Sequence, residues 1–131
     1  MGNGPSTVLV VDDDASIRLL CRVNLELDGY RVLDVATLGE ARELLESEQI
    51  DALLLDVHIG GEDGYALLDE LRASDRNVPA ALLTGTEEID PRGAQAKAVL
   101  RKPFTIEDLT ETVCRLTGSA CRADVDSHIT G

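Results

Sequence analysis

The feature of this 131-residue chain that most constrains its fold is a regular alternation of short apolar runs with longer amphipathic stretches. The apolar runs have the length of β-strands, and most of the segments between them have the length and apolar spacing of helices. Strands that alternate with helices predict βαβ units, which build a parallel sheet covered by helices. The predicted strands span residues 7–12, 31–36, 52–56, 79–84 and 98–101.

Short polar signals mark the ends of the predicted helices. Gly29 follows a helix predicted over residues 15–27 and is typical of a helix stop. Asp90 before Pro91 is typical of an N-cap and a first helical position. That fourth helix must be short, because the next strand begins only a few residues later. Further start signals are Thr37 with Glu40, Asp63, and Thr105 with Asp108, the last of which predicts a helix over about residues 106–117.

Composition excludes several classes of function. Aromatic residues make up only 2% of the chain and the formal net charge is −13, which disfavours base stacking and phosphate-backbone binding. We therefore expect no direct contact with nucleic acid. No apolar run approaches membrane-spanning length and no signal peptide opens the chain, so we expect a cytoplasmic protein without membrane association. The three Cys residues show no CxxC spacing and are expected to be reduced thiols.

Polar residues stand at the carboxyl ends of the predicted strands. The first strand ends at Asp12, Asp13 and Asp14 and the third at Asp56. The fourth and fifth strands end at Thr84 and Lys102. In open parallel sheets these ends meet at one edge, where ligands bind. Carboxylates that converge raise one another's pKa unless a cation compensates, and Mg²⁺ suits such oxygen ligands. A hydroxyl and an ammonium suit phosphoryl oxygens, so the set predicts a phosphoryl-transfer site with a carboxylate nucleophile.

Each of these residues also has an ordinary explanation when it is taken alone. The acidic run over residues 12–14 could be a solvated turn that caps the first helix, and Asp56 could cap the following turn. Thr84 could be an ordinary strand end and Lys102 an exposed cation. The combination, with each residue at a strand end and in this order, favours the site.

Four segments in order resemble the response-regulator receiver domain, the phosphoacceptor module of two-component signalling: "VLVVDDDASIRLL", "LLLDVHIGGEDGY", "AALLTG" and "LRKPF". The resemblance covers about residues 6–117. It implies a flavodoxin-like, doubly wound, five-stranded parallel sheet of order 2-1-3-4-5, flanked by five helices of which the fourth is shortened. We expect a disordered N-terminus over residues 1–6, the receiver domain over residues 7–117 and a mobile tail over residues 118–131.

The resemblance also implies a role for each site residue. Asp56 would be the phosphoacceptor, and the Lys102–Pro103 peptide bond would be cis. Asp14 lies outside the metal set and is assigned to helix capping. The ligands implied are Asp12, Asp13, Asp56 and the backbone carbonyl of His58 for Mg²⁺, and Thr84 and Lys102 for the phosphoryl oxygens.

The function implied is that of a stand-alone phosphorelay response regulator. It would accept a phosphoryl group from a sensor histidine kinase or a histidine phosphotransfer protein, and would catalyse its own phosphorylation and dephosphorylation without being a conventional turnover enzyme. The downstream protein target is not indicated by the sequence. The alternative is a receiver-like interaction domain that is not phosphorylated. A phosphohydrolase of the haloacid-dehalogenase type is disfavoured, because it needs an acid at the position of His58.

The chain departs from the family pattern at three places. Gly60 stands where the family usually has Pro, which predicts a more mobile loop, and Val99 replaces a common aromatic switch residue. The spacing of 18 residues from Thr84 to Lys102 is short, which disfavours the family's common dimer face. Leu19, at the edge of the apolar face of the first helix, is open to two interpretations: a contact for a helical phosphodonor, or an exposed Leu without function.

Overall fold

The computed structural model describes residues 4–85 and 95–118. Within this part of the chain, five strands form one parallel sheet: β1 (Thr7–Val11), β2 (Arg31–Val35), β3 (Ala52–Asp56), β6 (Ala80–Thr84) and β7 (Ala98–Arg101). Two further short strands, β4 (His58–Ile59) and β5 (Glu62–Asp63), pair only with each other. The order of the main sheet is β2-β1-β3-β6-β7, which confirms the predicted order 2-1-3-4-5 of a flavodoxin-like sheet.

Four helices are described in the same ranges: α1 (Ala15–Leu27), α2 (Leu38–Ser47), α3 (Tyr65–Ala73) and α4 (Ile106–Thr117). The short helix predicted to begin at Asp90 lies outside the described residues, as do residues 1–3 and 119–131 of the two predicted termini. None of the four described helices combines the length and the apolar character that crossing a bilayer requires.

Cap residues set the helix starts largely as the sequence predicts. Asp14 caps α1 by accepting the Ser16 N–H at 2.8 Å, and Thr37 caps α2. Thr105 and Asp108 form a complete capping box at α4. At α3 the position before the helix is Gly64, and the Asp63 carboxylate one residue earlier accepts the Tyr65 N–H at 3.0 Å. These bonds satisfy first-turn N–H groups that have no partner inside the helix. Helices α1, α3 and α4, which follow the predicted site residues in the sequence, thus begin at well-defined residues.

Two apolar clusters pack on opposite faces of the sheet. Leu9 and Val11 of β1 join the cluster covered by α2 and α3, whereas Val8 and Val10 join the cluster covered by α1 and α4. Because side chains alternate along a strand and both faces are covered, every residue of β1 and β3 is buried. This explains why these strands are continuous apolar runs in the sequence.

The segment after β3 forms a hairpin that the sequence analysis treats as a glycine-rich loop. His58 pairs with Asp63 and Ile59 pairs with Glu62, and the turn residues Gly60 and Gly61 have φ values of 56° and 79°. Positive φ at both central residues is what the tight turn of a two-residue hairpin requires, and glycine adopts it without strain. Ile59 is buried in the core, so the hairpin is anchored to the domain.

The cysteines differ from the prediction of reduced thiols. Cys21 is a free, buried thiol on α1, but Cys114 on α4 is disulfide-bonded. The prediction is therefore wrong for Cys114. The absence of a CxxC spacing does not exclude a disulfide, because the bond needs only two Cα atoms within about 4.4–6.8 Å and no fixed sequence separation.

Candidate functional site

Three carboxylates meet at the carboxyl edge of the sheet. Oxygen atoms of Asp12, Asp13 and Asp56 all lie within 4.8 Å of one another. Strands β1 and β3 are parallel neighbours that pair Val11 with Leu55, so the residues that follow leave the sheet side by side. Asp12 is fully buried and Asp56 is 7% exposed, whereas Asp13 is exposed. The fold thus brings Asp56 next to the adjacent pair Asp12 and Asp13, from which it is distant in the sequence, as the strand-end argument predicts.

Lys102 follows β7, which β6 separates from β3, and its side chain extends into this acidic cluster. Its Nζ lies 2.8 Å from Asp12 Oδ2 and 3.3 Å from Asp56 Oδ2. The backbone of Lys102 is fixed by its N–H, which donates to the Thr84 carbonyl at 2.7 Å, and the Lys102–Pro103 bond is cis, as the resemblance implies. The ammonium group therefore sits between the two buried carboxylates and partly neutralises them.

Burial and charge shift the acid–base properties of both partners. Burial raises the pKa of Asp56, and the charge of Asp12 raises it further, although the His58 N–H and Lys102 act in the opposite direction. Burial alone would lower the pKa of Lys102, but its hydrogen bond and charge interaction with Asp12, together with Asp56, outweigh burial and raise it. Lys102 consequently remains a cation, while Asp56 is a carboxylate short of compensating charge.

Backbone N–H groups orient the three carboxylates. The N–H of Asp14 donates to Asp12 Oδ1 at 2.9 Å, and the N–H of His58 donates to Asp56 Oδ1 at 3.0 Å. Asp13 Oδ2 accepts the Gly60 N–H from the hairpin turn at 3.0 Å. Each oxygen has a second lone pair available, so these bonds hold the side chains in place without using up their capacity to bind a metal.

The donor set fits a divalent cation. It consists of carboxylate oxygens only, is open to solvent at Asp13 and is buried at Asp12, and a single ammonium opposes three acids. Hard divalent cations such as Mg²⁺ and Ca²⁺ take oxygen ligands of this kind. The site is therefore compatible with divalent metal binding by Asp12, Asp13 and Asp56.

The other predicted site residues lie at the same edge. Thr84 ends β6 beside β3 and is 1% exposed, and its register partner on β7 is Arg101, the residue before the lysine. His58 opens the hairpin with its side chain exposed and its N–H on Asp56. The roles of Thr84 and of the His58 carbonyl as ligands stay predictions. Thr86, two residues after Thr84, lies outside the described residues.

The sequence did not predict a hydrogen-bond network that holds the backbone of Asp12. Arg18 of α1 donates from Nη1 to the Asp12 carbonyl at 2.8 Å and from Nε to Asp34 Oδ2 at 3.1 Å. Arg22 donates to the same Asp34 carboxylate from Nε at 2.9 Å. Asp34 is the acid that interrupts the apolar residues after Arg31 in β2, and that interruption is the signal that could have revealed the network. Helix α1 is thereby tied to the strand end that carries the acidic pair.

A glycine at the start of α3 allows a close approach to Asp56. A Cβ added to Gly64 would lie 2.2 Å from the Asp56 carbonyl oxygen and 3.0 Å from the Val57 Cα. The Gly64 N–H donates to the Val57 carbonyl at 2.9 Å, which closes the loop that contains the hairpin. The backbone of Asp56 and Val57 is therefore packed against the start of α3.

Comparisons with known proteins agree with this geometry. Residues 8–114 match the family described as the response regulator receiver domain. Response regulator MprA of Mycobacterium ulcerans is 37% identical over 107 residues, which are 78% of this chain and 46% of that protein. The chain spans about half the length of the relatives of this kind that it matches.

Solved structures show the same fold. The chemotaxis response regulator CheY4 of Vibrio cholerae is 29% identical, with a TM-score of 0.79 over 86% of this chain and 98% of that one. The response regulator TrrA of Thermotoga maritima, solved in complex with Mg(2+)-BeF, is 28% identical, with a TM-score of 0.78 over 85% of this chain and 98% of that one.

Proposed function

The chain belongs to the response regulator receiver domain family of two-component systems, and from that premise we propose that Asp56 accepts a phosphoryl group from a phosphohistidine. Receiver domains of these systems interact with histidine kinases, so the donor would be a sensor histidine kinase or a histidine phosphotransfer protein. The observation that carries the proposal is the buried Asp56 carboxylate with Asp12, Asp13 and Lys102 around it, at the edge of the sheet where such folds bind ligands.

Three side chains of this protein would take part in the transfer. An Asp56 oxygen would attack the phosphorus, so that a P–O bond forms while the P–N bond breaks and its electron pair leaves with the imidazole nitrogen. Lys102 Nζ already lies 3.3 Å from Asp56 Oδ2 and would contact a phosphoryl oxygen on the product. The buried Thr84 hydroxyl would contact a second one.

We propose Mg²⁺ as the metal, held by Asp12, Asp13, Asp56 and the His58 carbonyl. When it is bound, Mg²⁺ neutralises charge on the phosphoryl oxygens and on the carboxylates that surround them. The carboxylate cluster and the Mg(2+)-BeF complex of the similar TrrA structure support this choice. Hydrolysis of the aspartyl-phosphate by water would return the domain to its starting form.

The test is phosphorylation by a small donor. The protein is incubated with acetyl phosphate and Mg²⁺, and its intact mass is measured. We expect a phosphate-sized addition that is absent without the metal and absent in Asp56→Asn. An unchanged mass together with no binding of beryllofluoride would overturn the proposal in favour of the unphosphorylated interaction domain.

Helix α1 offers a candidate docking face for the protein donor. Leu19, Val23 and Leu27 are 60%, 46% and 74% exposed, and their spacing of four residues places them along one side of the helix. We propose that a helical phosphodonor packs on this stripe beside the site. Leu19→Ser should then slow transfer from the cognate phosphohistidine protein at least about tenfold, the effect of about 1.4 kcal/mol. Phosphorylation by acetyl phosphate should be unchanged; slowing of both reactions, or of neither, would contradict the docking role.

A further inference from the structure

A second concave site lies at the opposite end of the sheet from Asp56. A cavity of about 930 Å³ opens beneath the N-terminal ends of β6 and β7, and α3 and α4 contribute its walls. Asp56 stands at the carboxyl end of β3, which runs parallel to β6, so the length of the strands separates the cavity from the phosphoryl-transfer site. Its floor is apolar and includes Leu68, Leu71, Val78 and Leu116.

Four cations surround this apolar floor. Arg72, Arg76, Lys97 and Arg115 all line the cavity and all are exposed, so their charged groups lie at its rim. They are a third of the 12 Lys and Arg residues of a chain whose formal net charge is −13. Among the described residues, Asp69 is the one acid that lines the cavity. The described part of the wall thus carries an excess of positive charge, in contrast to the net negative charge of the chain.

Three of these cations lack a partner within the described ranges. Arg115 Nη2 forms an ion pair with Glu111 Oε1 at 2.6 Å. Asp69 Oδ1 accepts a hydrogen bond from Gln95 Nε2 at 2.7 Å. Arg72, Arg76 and Lys97 make no ion pair inside residues 4–85 and 95–118. Exposed arginines without internal partners keep their donors available for an incoming anion.

We propose that this cavity binds a small organic anion, with phosphate or carboxylate groups on an apolar body. The volume lies within the range of about 300–1,000 Å³ that small-molecule sites occupy. The apolar floor would contact the body of the ligand, and the guanidinium groups would form bidentate hydrogen bonds to its anionic groups. A long polyanion such as nucleic acid would extend beyond the cavity and would be repelled by the net charge of −13 of the chain.

A matched series of probes tests separately whether binding needs the apolar body and whether it needs the anionic group. Naphthalen-1-ylphosphonate carries both an apolar double ring and a dianion, 1-naphthol keeps the ring without the charge, and inorganic phosphate keeps the charge without the ring. Binding is followed by amide chemical shifts of the labelled protein without Mg²⁺. We expect saturable shifts at Asn77, Ala80 and Lys97 with the phosphonate, and at least about tenfold weaker binding of the other two probes.

Variants then test whether the cations of the cavity bind the anionic group of the probe. The Arg72→Gln, Arg76→Gln, Lys97→Gln triple variant should bind the phosphonate at least about tenfold more weakly, because charge-assisted hydrogen bonds are lost. Arg31→Gln removes a cation on β2, away from the cavity, and should change the affinity less than about twofold. All four substitutions are at exposed positions, so amide spectra should report an intact fold.

The outcomes decide the proposal without reference to phosphorylation. No binding, equal binding of 1-naphthol and the phosphonate, or shifts at His58 and Lys102 instead of the cavity would each overturn it. Acetyl phosphate labelling of the triple variant is measured alongside and should be unchanged, because its substitutions lie at the far edge of the sheet.

Discussion

The Asp56 carboxylate is a buried charge that lowers the stability of the folded chain. Burial raises its pKa in the folded state above the ordinary value, so the folded state binds this proton more tightly than the unfolded state does. Stability from this group is present below the unfolded pKa and is lost as pH rises through the folded pKa. The carboxylate proposed as the phosphoacceptor thus weakens the domain that holds it.

Asp56→Asn should therefore stabilise the protein at neutral pH without added Mg²⁺. Removing the charge abolishes this proton linkage, and we expect a higher free energy of unfolding for the variant than for the parent. The measurement is urea unfolding of both proteins at pH 7 and at lower pH, where the difference should shrink as Asp56 becomes protonated. Glu46→Gln on the exposed face of α2 is the control and should change little. A variant less stable than the parent at pH 7 would contradict this reasoning.

Cys21 illustrates the same physics for a thiol. Burial in the α1 face against the sheet raises its pKa to about 12. Because the thiolate is the reactive form, iodoacetamide at pH 8 should leave Cys21 unmodified in the folded protein and modify it only after unfolding in urea. Peptide mass spectrometry after each treatment measures the result. Rapid alkylation of Cys21 under native conditions would show that the thiol is accessible or ionised.

At the scale of elements, the contact between α3 and the end of β3 is the tightest constraint near the site. An added Cβ at Gly64 would overlap the Asp56 carbonyl oxygen, and neither neighbour is a flexible side-chain end. Gly64→Ala should therefore destabilise the domain by about 1–3 kcal/mol, as overpacking does, and should slow labelling by acetyl phosphate because the backbone of Asp56 must shift. Unfolding and labelling rates measure the two effects.

Gly39 provides the matched control for this substitution. It lies in α2 with nothing within 4 Å of an added Cβ, and its φ is not positive. Gly39→Ala should be neutral or stabilising by up to about 1 kcal/mol, because Ala has the higher helix propensity. If both substitutions have the same effect, the close approach at Gly64 is not what constrains that position.

The elements near the site differ in how far the sequence predicts them. The main strands match within one residue, because each is an apolar run with a polar residue at its end. The hairpin after β3 was missed, since strands of two residues have no measurable period, although the Gly60–Gly61 pair is a signal for its turn. The bonds from Arg18 to Asp34 and to Asp12 depend on how α1 packs across β2, which local patterns do not determine.

At the scale of the whole molecule, the charge distribution separates two surfaces. At the carboxyl ends of the strands, Asp12, Asp13 and Asp56 lie close together with the ammonium group of Lys102. The cavity that is lined by Arg and Lys residues lies at the opposite end of the sheet. The strand-end rule identifies the first, because polar residues interrupt apolar runs there. The second is assembled from α3, α4 and the starts of β6 and β7, and its exposed arginines resemble any other surface charges in the sequence. Only the fold shows that they share a wall.

The excess of acids predicts that two kinds of salt effect will stabilise this molecule. A net charge of −13 produces general self-repulsion, which any salt screens, whereas the clustered carboxylates are compatible with a bound divalent cation. MgCl₂ should raise the thermal midpoint more than NaCl of equal ionic strength, because a ligand that binds only the folded state adds RT ln(1 + [L]/Kd), about 2.7 kcal/mol at a hundredfold excess over Kd. In Asp13→Asn, which removes an exposed carboxylate proposed as a ligand without disturbing the core, MgCl₂ should act no better than NaCl. Equal effects of the two salts on the parent protein would exclude a specific metal site at this edge of the sheet.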